Sequence, residues 1–206
     1  ASADFRFRDP AAYEAVYGHA HGAPDLIDRF GCAVPEHLAA APGRWMAHPG
    51  CFATATLLAV VPLLASGLTD PEFYVAGVTG STGSGNKPLA TTHHPERHAN
   101  LFSYRPLHHR HAPEMEALAL AATEVAPRIR FVPHSGPFAR GIHVTVQGRL
   151  RQGTNADGLR AALRRSYADS AFVEVVEGTP RIKDVVGSNR ARLGAAADGD
   201  SYAVMC

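Results

Sequence analysis

Between Cys51 and Ala65 the chain carries an almost unbroken apolar run, interrupted by Thr54, Thr56 and Pro62. Apolar residues all round a helical projection predict a buried helix rather than an amphipathic surface one. Gly67 can end it after Ser66, and Pro62 predicts a kink or a tighter last turn. Asp9 as N-cap, Pro10 at the first helical position and Gly18 as terminator predict a short helix over residues 9–17. The rest of residues 1–45 reads as loop-rich, with a turn at 26–30 and a connector at 39–43. A second helix is predicted from Pro113 to about Val125, with Glu114 and Glu116 in its first turn, and a third from Asn155 to about Tyr167, with Leu159 and Leu163 on one face. Strand patterns fall at 73–78, 129–133, 142–146 and 172–176, and the last six residues read as a strand that stops without a turn.

These elements lack regular βαβ spacing. They predict an α+β fold, a mixed or antiparallel sheet with helices packed on one face. With 206 residues, 46% hydrophobic and 19% charged, the chain can build a real core as one large domain, or as one domain with part of another. The +1 net charge without a dense basic stripe argues against nucleic acid as a partner, and no apolar run is long enough to span a membrane. Cys32, Cys51 and Cys206 are widely spaced without a CxxC, so neither a disulfide framework nor a zinc knuckle is indicated, and a reducing, cytoplasmic setting is expected. The start Ala1-Ser2-Ala3-Asp4 and the abrupt C-terminal strand lead us to expect a piece of a longer protein.

The apolar helix opens on Met46-Ala47-His48-Pro49-Gly50-Cys51-Phe52-Ala53-Thr54-Ala55. A thiol at a helix N-terminus faces unpaired N–H groups and the positive end of the dipole, both of which favour a thiolate. That argument predicts a thiol ionising below about pH 8, against ~8.5 for free cysteine. Taken alone, a buried structural cysteine is the commoner reading of such a residue. Six of the twelve histidines lie between positions 93 and 111: His93, His94, His98, His108, His109 and His111. A metal site would pair His94 with His98, or His109 with His111, plus Glu96 or Glu114. Pro95 disfavours a helix holding the first pair on one face, and HExxH is absent, so no metal is expected. A histidine near a thiolate can instead serve as acid and base around a tetrahedral adduct. The loop 79–86, rich in Gly, Ser and Thr, offers backbone N–H groups to an oxyanion, a phosphate or a nicotinamide edge, or is a plain turn. Arg140 is a clamp for a carboxylate or phosphate, or an exposed strand-end arginine. No strand–GxGxxG–helix fingerprint occurs in this chain.

The cysteine run, continued by Ala59-Val60-Val61-Pro62, resembles the active-site signature of the N-acetyl-gamma-glutamyl-phosphate reductases of arginine biosynthesis. Ser2–Arg6, Gly80–Gly85, His109-Arg110-His111-Ala112-Pro113-Glu114, Pro137–Gly141 and Lys183–Asn189 match the family in order. The resemblance implies NADPH-dependent reduction of a small acyl phosphate to a semialdehyde through a thioester on Cys51. It implies His109 as acid/base with His111 as the second candidate. It places Arg140, Tyr104 and His48 at the substrate, and Thr82, Gly83, Ser84 and Gly85 near the cofactor. It further implies a fold like the C-terminal domain of glyceraldehyde-3-phosphate dehydrogenase. Residues 1–45 would follow an absent NADP-binding Rossmann domain, and 46–206 would form the catalytic and dimerisation domain, truncated at its C-terminus. The cofactor NADP(H) would then be held mainly outside this chain, the piece alone would be inactive, and the protein would be a homo-oligomer assembled through its sheet.

The histidine-rich run 91–97 departs from many arginine-pathway sequences and leaves open the sister enzymes that reduce a carrier-protein-linked aminoadipyl phosphate in lysine synthesis. Two other readings are a metal- or partner-binding module built on the histidines and a hydrolase using Cys51 with a histidine.

Overall fold

The computed structural model describes residues 3–38 and 43–206. The connector predicted at 39–43 lies mostly outside them. Helix α1, Pro10–Tyr17, forms as its caps dictate: Asp9 accepts the Ala11 N–H, and Gly18 closes the helix at φ 77°. A 3₁₀ turn at Pro24–Arg29 follows, and Gly31–Cys32 (β1) pairs in parallel with Met46–Ala47 (β2). This leading segment builds its own aromatic cluster. Phe5 stacks on Phe30 with ring centroids 3.9 Å apart, and Tyr13 and His21 pack edge-on beside them.

Helix α2, Cys51–Ser66, is buried along nearly its whole length. It lies between α4 (His111–Thr123) and α5 (Ala156–Ser166), against the sheet, which accounts for its all-round apolar sequence. The helix continues through Pro62, whose missing N–H leaves the Leu58 carbonyl without its helical donor. The Tyr167 hydroxyl donates to that carbonyl at 2.6 Å, and the proton so placed makes its oxygen the acceptor for His37 Nε2 at 2.9 Å.

After β3 (Glu72–Thr79), the histidine-rich stretch folds as two short turns: a 3₁₀ turn at Ala90–Thr92 and one turn of helix, α3, at His94–Arg97. Pro95 sits in the first turn of α3, where no N–H is needed, so the predicted obstacle to helix is absent and the His94 and His98 rings come within 5.2 Å. Strand β4 (Phe102–Ser103) follows, then β5 (Arg128–Ser135), β6 (Ile142–Arg149), β7 (Val173–Val175), β8 (Ala191–Asp198) and β9 (Ser201–Met205). The strand β8 was not anticipated, since its Gly194-Ala195-Ala196-Ala197 centre carries no strand-forming signal.

The seven-stranded sheet runs β4-β5-β3-β6-β9-β8-β7 and is mixed: β3 is parallel to β5 and β7 to β8, the other pairs being antiparallel. Helices α2, α4 and α5 cover one face, where Phe73, Val75, Phe131, Val144, Val146 and Val204 meet Leu57, Leu63, Met115, Leu159 and Leu163. The other face, with Tyr74, Ala76 and Val78 of β3 beside Arg130, Val132 and His134 of β5, is left uncovered by the described residues, and Tyr74 is 55% exposed. The parallel register brings the carboxyl ends of β3 and β5 side by side at Thr79 and Ser135, with the start of β6 at Ile142 next to them. Ligands of open α/β sheets bind outside such strand ends.

Candidate active site

Three connections converge at that end of the sheet. Loop 80–85 is tied to loop 136–141 by Gly80 N–H to Gly141 O at 3.1 Å, Ser81 N–H to Phe138 O at 2.9 Å and Thr82 N–H to Ala139 O at 3.0 Å. Gly83 and Gly85 donate to Gly80 O and Thr82 O. Five of the loop's N–H groups, expected to serve a ligand, are therefore committed within the protein. Side chains at Gly80 and Gly83 would also collide: a Cβ at Gly80 would lie 2.6 Å from Ala139 O, and one at Gly83 2.7 Å from Thr79 Oγ1.

Cys51 begins α2 directly after Gly50, and the residue is open to solvent at the same end although protein packs closely around its sulfur. The turn before it is braced from below. Glu114, fully buried in the first turn of α4, accepts the Gly50 N–H and forms an ion pair with Arg6 at 3.3 Å, while Arg6 Nε donates to the His48 carbonyl at 2.9 Å. The His111 ring lies against the Cα of Gly50 and leaves no room for a Cβ there. Sequence reading took Glu114 for a helix-start acid or a metal ligand; its partners lie 64 and 108 residues away.

Cys51 borders two cavities. One, of about 450 Å³, runs between α2, the start of β6 and residues 180–192, and carries Arg140, Arg190, Ser188 and Asn189 on a largely apolar lining that includes Phe172 and Ile182. The other, of about 480 Å³, is lined by Gly83, Ser84, Arg97, Tyr104, His109 and His111. Of the residues chosen from sequence, Cys51 touches both cavities, Arg140 the first, and Tyr104, His109, His111, Gly83 and Ser84 the second. His48 is exposed, contributes its carbonyl to Arg6 and borders neither; Thr82 spends its hydroxyl on Ala139 O, and Gly85 stands at φ 80° with open space around it.

Burial pushes the Cys51 thiol above its ordinary value, aided by the Glu114 charge and opposed by the N–H groups of Phe52 and Cys51 and by Arg6. This is the reverse of the shift expected from the helix end alone: the protein packed around the sulfur outweighs the amide donors. His109 is pushed down to about 4 by burial, with Arg110 and Arg105 adding to the effect. His111 falls to about 3 through burial and the neighbouring His109, Arg6 and Arg110. The two rings are 4.6 Å apart. Among the described residues no three His, Cys, Asp or Glu side chains gather as a metal site, and Glu114 is occupied by Gly50 and Arg6. Arg97, buried within the histidine-rich stretch, donates to Ser135 Oγ and, at 2.8 Å, to the Gly136 carbonyl, fixing that stretch to the end of β5.

Cys51 thus stands at a helix start, on a cavity that it shares with His109 and His111, near the carboxyl ends of β3 and β5. Residues 51–206 match the family of the semialdehyde dehydrogenase dimerisation domain. The chain belongs to that family. It is 39% identical to an N-acetyl-gamma-glutamyl-phosphate reductase of Rhodospirillum rubrum over 96% of its own length and 57% of the relative's. A protein of the same name from Methanopyrus kandleri is 36% identical, with 99% of this chain and 60% of the relative aligned. The semialdehyde dehydrogenase fold is shared with aspartate semialdehyde dehydrogenase II of Vibrio cholerae, at a TM-score of 0.66 and 14% identity, over 89% of this chain and 64% of that one. The chain thus spans little more than half the length of the curated relatives it matches. As expected from sequence, the fold is α+β with a mixed sheet and helices on one face. Among the described residues no helix is long and apolar enough to cross a membrane.

Proposed function

We propose that this chain is the catalytic and dimerisation part of a cytoplasmic N-acetyl-gamma-glutamyl-phosphate reductase, a homo-oligomer that uses NADPH to convert N-acetylglutamyl phosphate to the semialdehyde and phosphate. The observation that carries this reading is Cys51, set at the mouth of α2 between a cavity bearing Arg140 and a cavity bearing His109. Cys51 forms the thioester, a good choice because a thioester is electrophilic enough to accept hydride. Arg140 anchors an anionic end of the substrate in the first cavity. His109 serves the reacting carbonyl, with His111 behind it, and Tyr104 lines the site.

The nicotinamide cofactor supplies the hydride when bound. Gly83 and Ser84 line the cavity that Cys51 also borders, where we place the edge of the nicotinamide, and we assign most of the cofactor's binding to protein outside these residues. Residues 46–206 form the catalytic unit and 1–45 lead into it. The open sheet face around Tyr74 suits contact with a second copy. The test is mass spectrometry of the full-length enzyme mixed with N-acetylglutamyl phosphate without NADPH. An acyl group on Cys51, discharged as semialdehyde when NADPH is added, supports the reading; product formed without NADPH, or acylation only by a carrier-linked aminoadipyl phosphate, refutes it.

A further inference from the structure

Outside the two cavities that meet at Cys51, the histidine-rich stretch carries a pair of metal-ligating groups on one short turn. Helix α3 is a single turn, and a helix of that length is not stable by itself. Arg97, its one buried residue, holds it to Ser135 and Gly136. The turn is also closed from within: the His98 N–H donates to His94 O at 2.8 Å, and Asn100 Nδ2 donates to Glu96 O at 3.0 Å. Ala99 leaves it at φ 53°, a left-handed conformation strained for a residue with a Cβ.

His94 and His98 are four residues apart on this turn, the spacing that puts two side chains on one helix face. Both are exposed, and neither ring makes a hydrogen bond or ion pair with any described residue. Their ring centroids are 5.2 Å apart with the planes inclined at 45°. Zinc binds imidazole nitrogen at about 2.0–2.1 Å, so two imidazoles at a tetrahedral angle around one ion have centroids about 5.2 Å apart. The pair already has that separation, and rotating two exposed side chains is enough to turn a nitrogen of each toward a shared ion. Imidazole suits zinc and its transition-metal neighbours, whereas magnesium and calcium take oxygen ligands. No third His, Cys, Asp or Glu gathers with the pair among the described residues, so water completes the coordination.

We propose that His94 and His98 together bind one zinc ion across α3, and that the ion locks the turn that carries Arg97. Neither histidine lines the Cys51 cavity, but Leu89, Thr91, Thr92 and Arg97 of the same stretch do. The ion therefore sits behind the cavity wall and stiffens it without touching the reacting groups. This holds whichever acyl group Cys51 carries. The competing ligands for zinc are Cys51, His109 and His111, which share that cavity.

Calorimetric titration of the untagged full-length enzyme with Zn²⁺ separates the two sites, with Cys51→Ser as background to remove the reactive thiol. In that background an ion should bind whose affinity falls about 10²-fold or more in His94→Ala and in His98→Ala, the gain that two linked ligands give over one. His93→Ala should leave it unchanged, and Mg²⁺ should not compete. No bound zinc, or binding that survives both substitutions, overturns the site; zinc bound by wild type but not by Cys51→Ser belongs to the cysteine and overturns it equally. Hydrogen exchange of a peptide covering residues 90–100, which contains the His98 amide bonded to His94 O, reads the lock. Zinc at about 100 times its Kd should slow exchange through local opening of the turn about 10²-fold. Zinc bound at the pair without slower exchange overturns the lock on Arg97.

Discussion

The carboxylate of Glu114 accepts the backbone N–H of Gly50 at 2.5 Å, joining the first turn of α4 to the turn that presents Cys51. The same carboxylate pairs with Arg6, so one buried group ties the leading segment, the cysteine helix and the histidine-bearing helix together. Burial raises the pKa of Glu114, and the Gly50 amide and Arg6 work against that shift. Removing one member of a buried charged pair leaves the other uncompensated. Glu114→Ala should therefore cost about 3 kcal/mol in a urea unfolding titration. Glu114→Gln, which keeps an acceptor for Gly50, should cost less. An alanine variant within ~0.5 kcal/mol of wild type would show that the contact does not brace the turn.

The thiol of Cys51 should reflect the same charges. With burial and Glu114 raising its pKa and Arg6 lowering it, alkylation of this chain by iodoacetamide should show a midpoint above the ~8.5 of free cysteine. Arg6→Gln removes the lowering charge and should slow alkylation at neutral pH several-fold. Glu114→Gln removes a raising charge and should speed it. The opposite order of the two variants, or a wild-type midpoint below about 8, would mean that the amide donors of the helix start dominate after all.

What the sequence disclosed and what it hid follow one physical division. Helix ends set by local chemistry were legible: Asp9 and Gly18 bound α1, Gly67 closes α2, and the Asn155 side chain accepts the Gly158 N–H at the start of α5. The apolar run of α2 correctly implied a helix buried on all sides. Long-range partners were not legible. Nothing near Glu114 in sequence reveals Arg6 or Gly50, and nothing near Pro62 reveals Tyr167. Strand β8 owes its place to the neighbouring strands β9 and β7 rather than to its own alanines. The anchoring of the histidine-rich stretch was hidden too, because its anchor, Arg97, is a charged residue whose burial depends on Ser135 and Gly136 at a distant strand end.

Three histidines should make the fold acid-sensitive in a defined window. Burial pushes His37 and His109 down to about 4 and His111 to about 3. The unfolded chain takes up these protons near ~6.5, whereas the folded protein resists them until well below that. Between those values the unfolded state binds more protons, so stability rises with pH, is fully present above the unfolded pKa and is lost as pH falls toward 4. The limiting slope is about 1.4 kcal/mol per pH unit for each proton. Urea midpoints measured from pH 7.5 to 4.5 should drop steeply below 6.5, and His37→Gln should flatten the curve. A flat profile in wild type would mean that the rings take up protons as readily in the fold as in the unfolded chain.

Tyr167 and Pro62 allow a sharper test, because one compensates for the other. Pro62 leaves the Leu58 carbonyl without a helical donor, and the Tyr167 hydroxyl supplies the missing hydrogen bond while accepting from His37. Tyr167→Phe strands a buried carbonyl and a buried imidazole N–H, each of which costs about 1–3 kcal/mol when left unsatisfied. The expected loss is therefore about 2–4 kcal/mol, seen as a lower urea midpoint with unchanged m-value. Pro62→Ala returns an N–H to the helix opposite Leu58. In the Tyr167→Phe background it should recover about 1 kcal/mol or more, a gain that exceeds its effect in wild type, where the carbonyl already has a donor. Additive effects of the two substitutions would show that Leu58 takes a single strong bond from neither, and that α2 holds its course past Pro62 by packing alone.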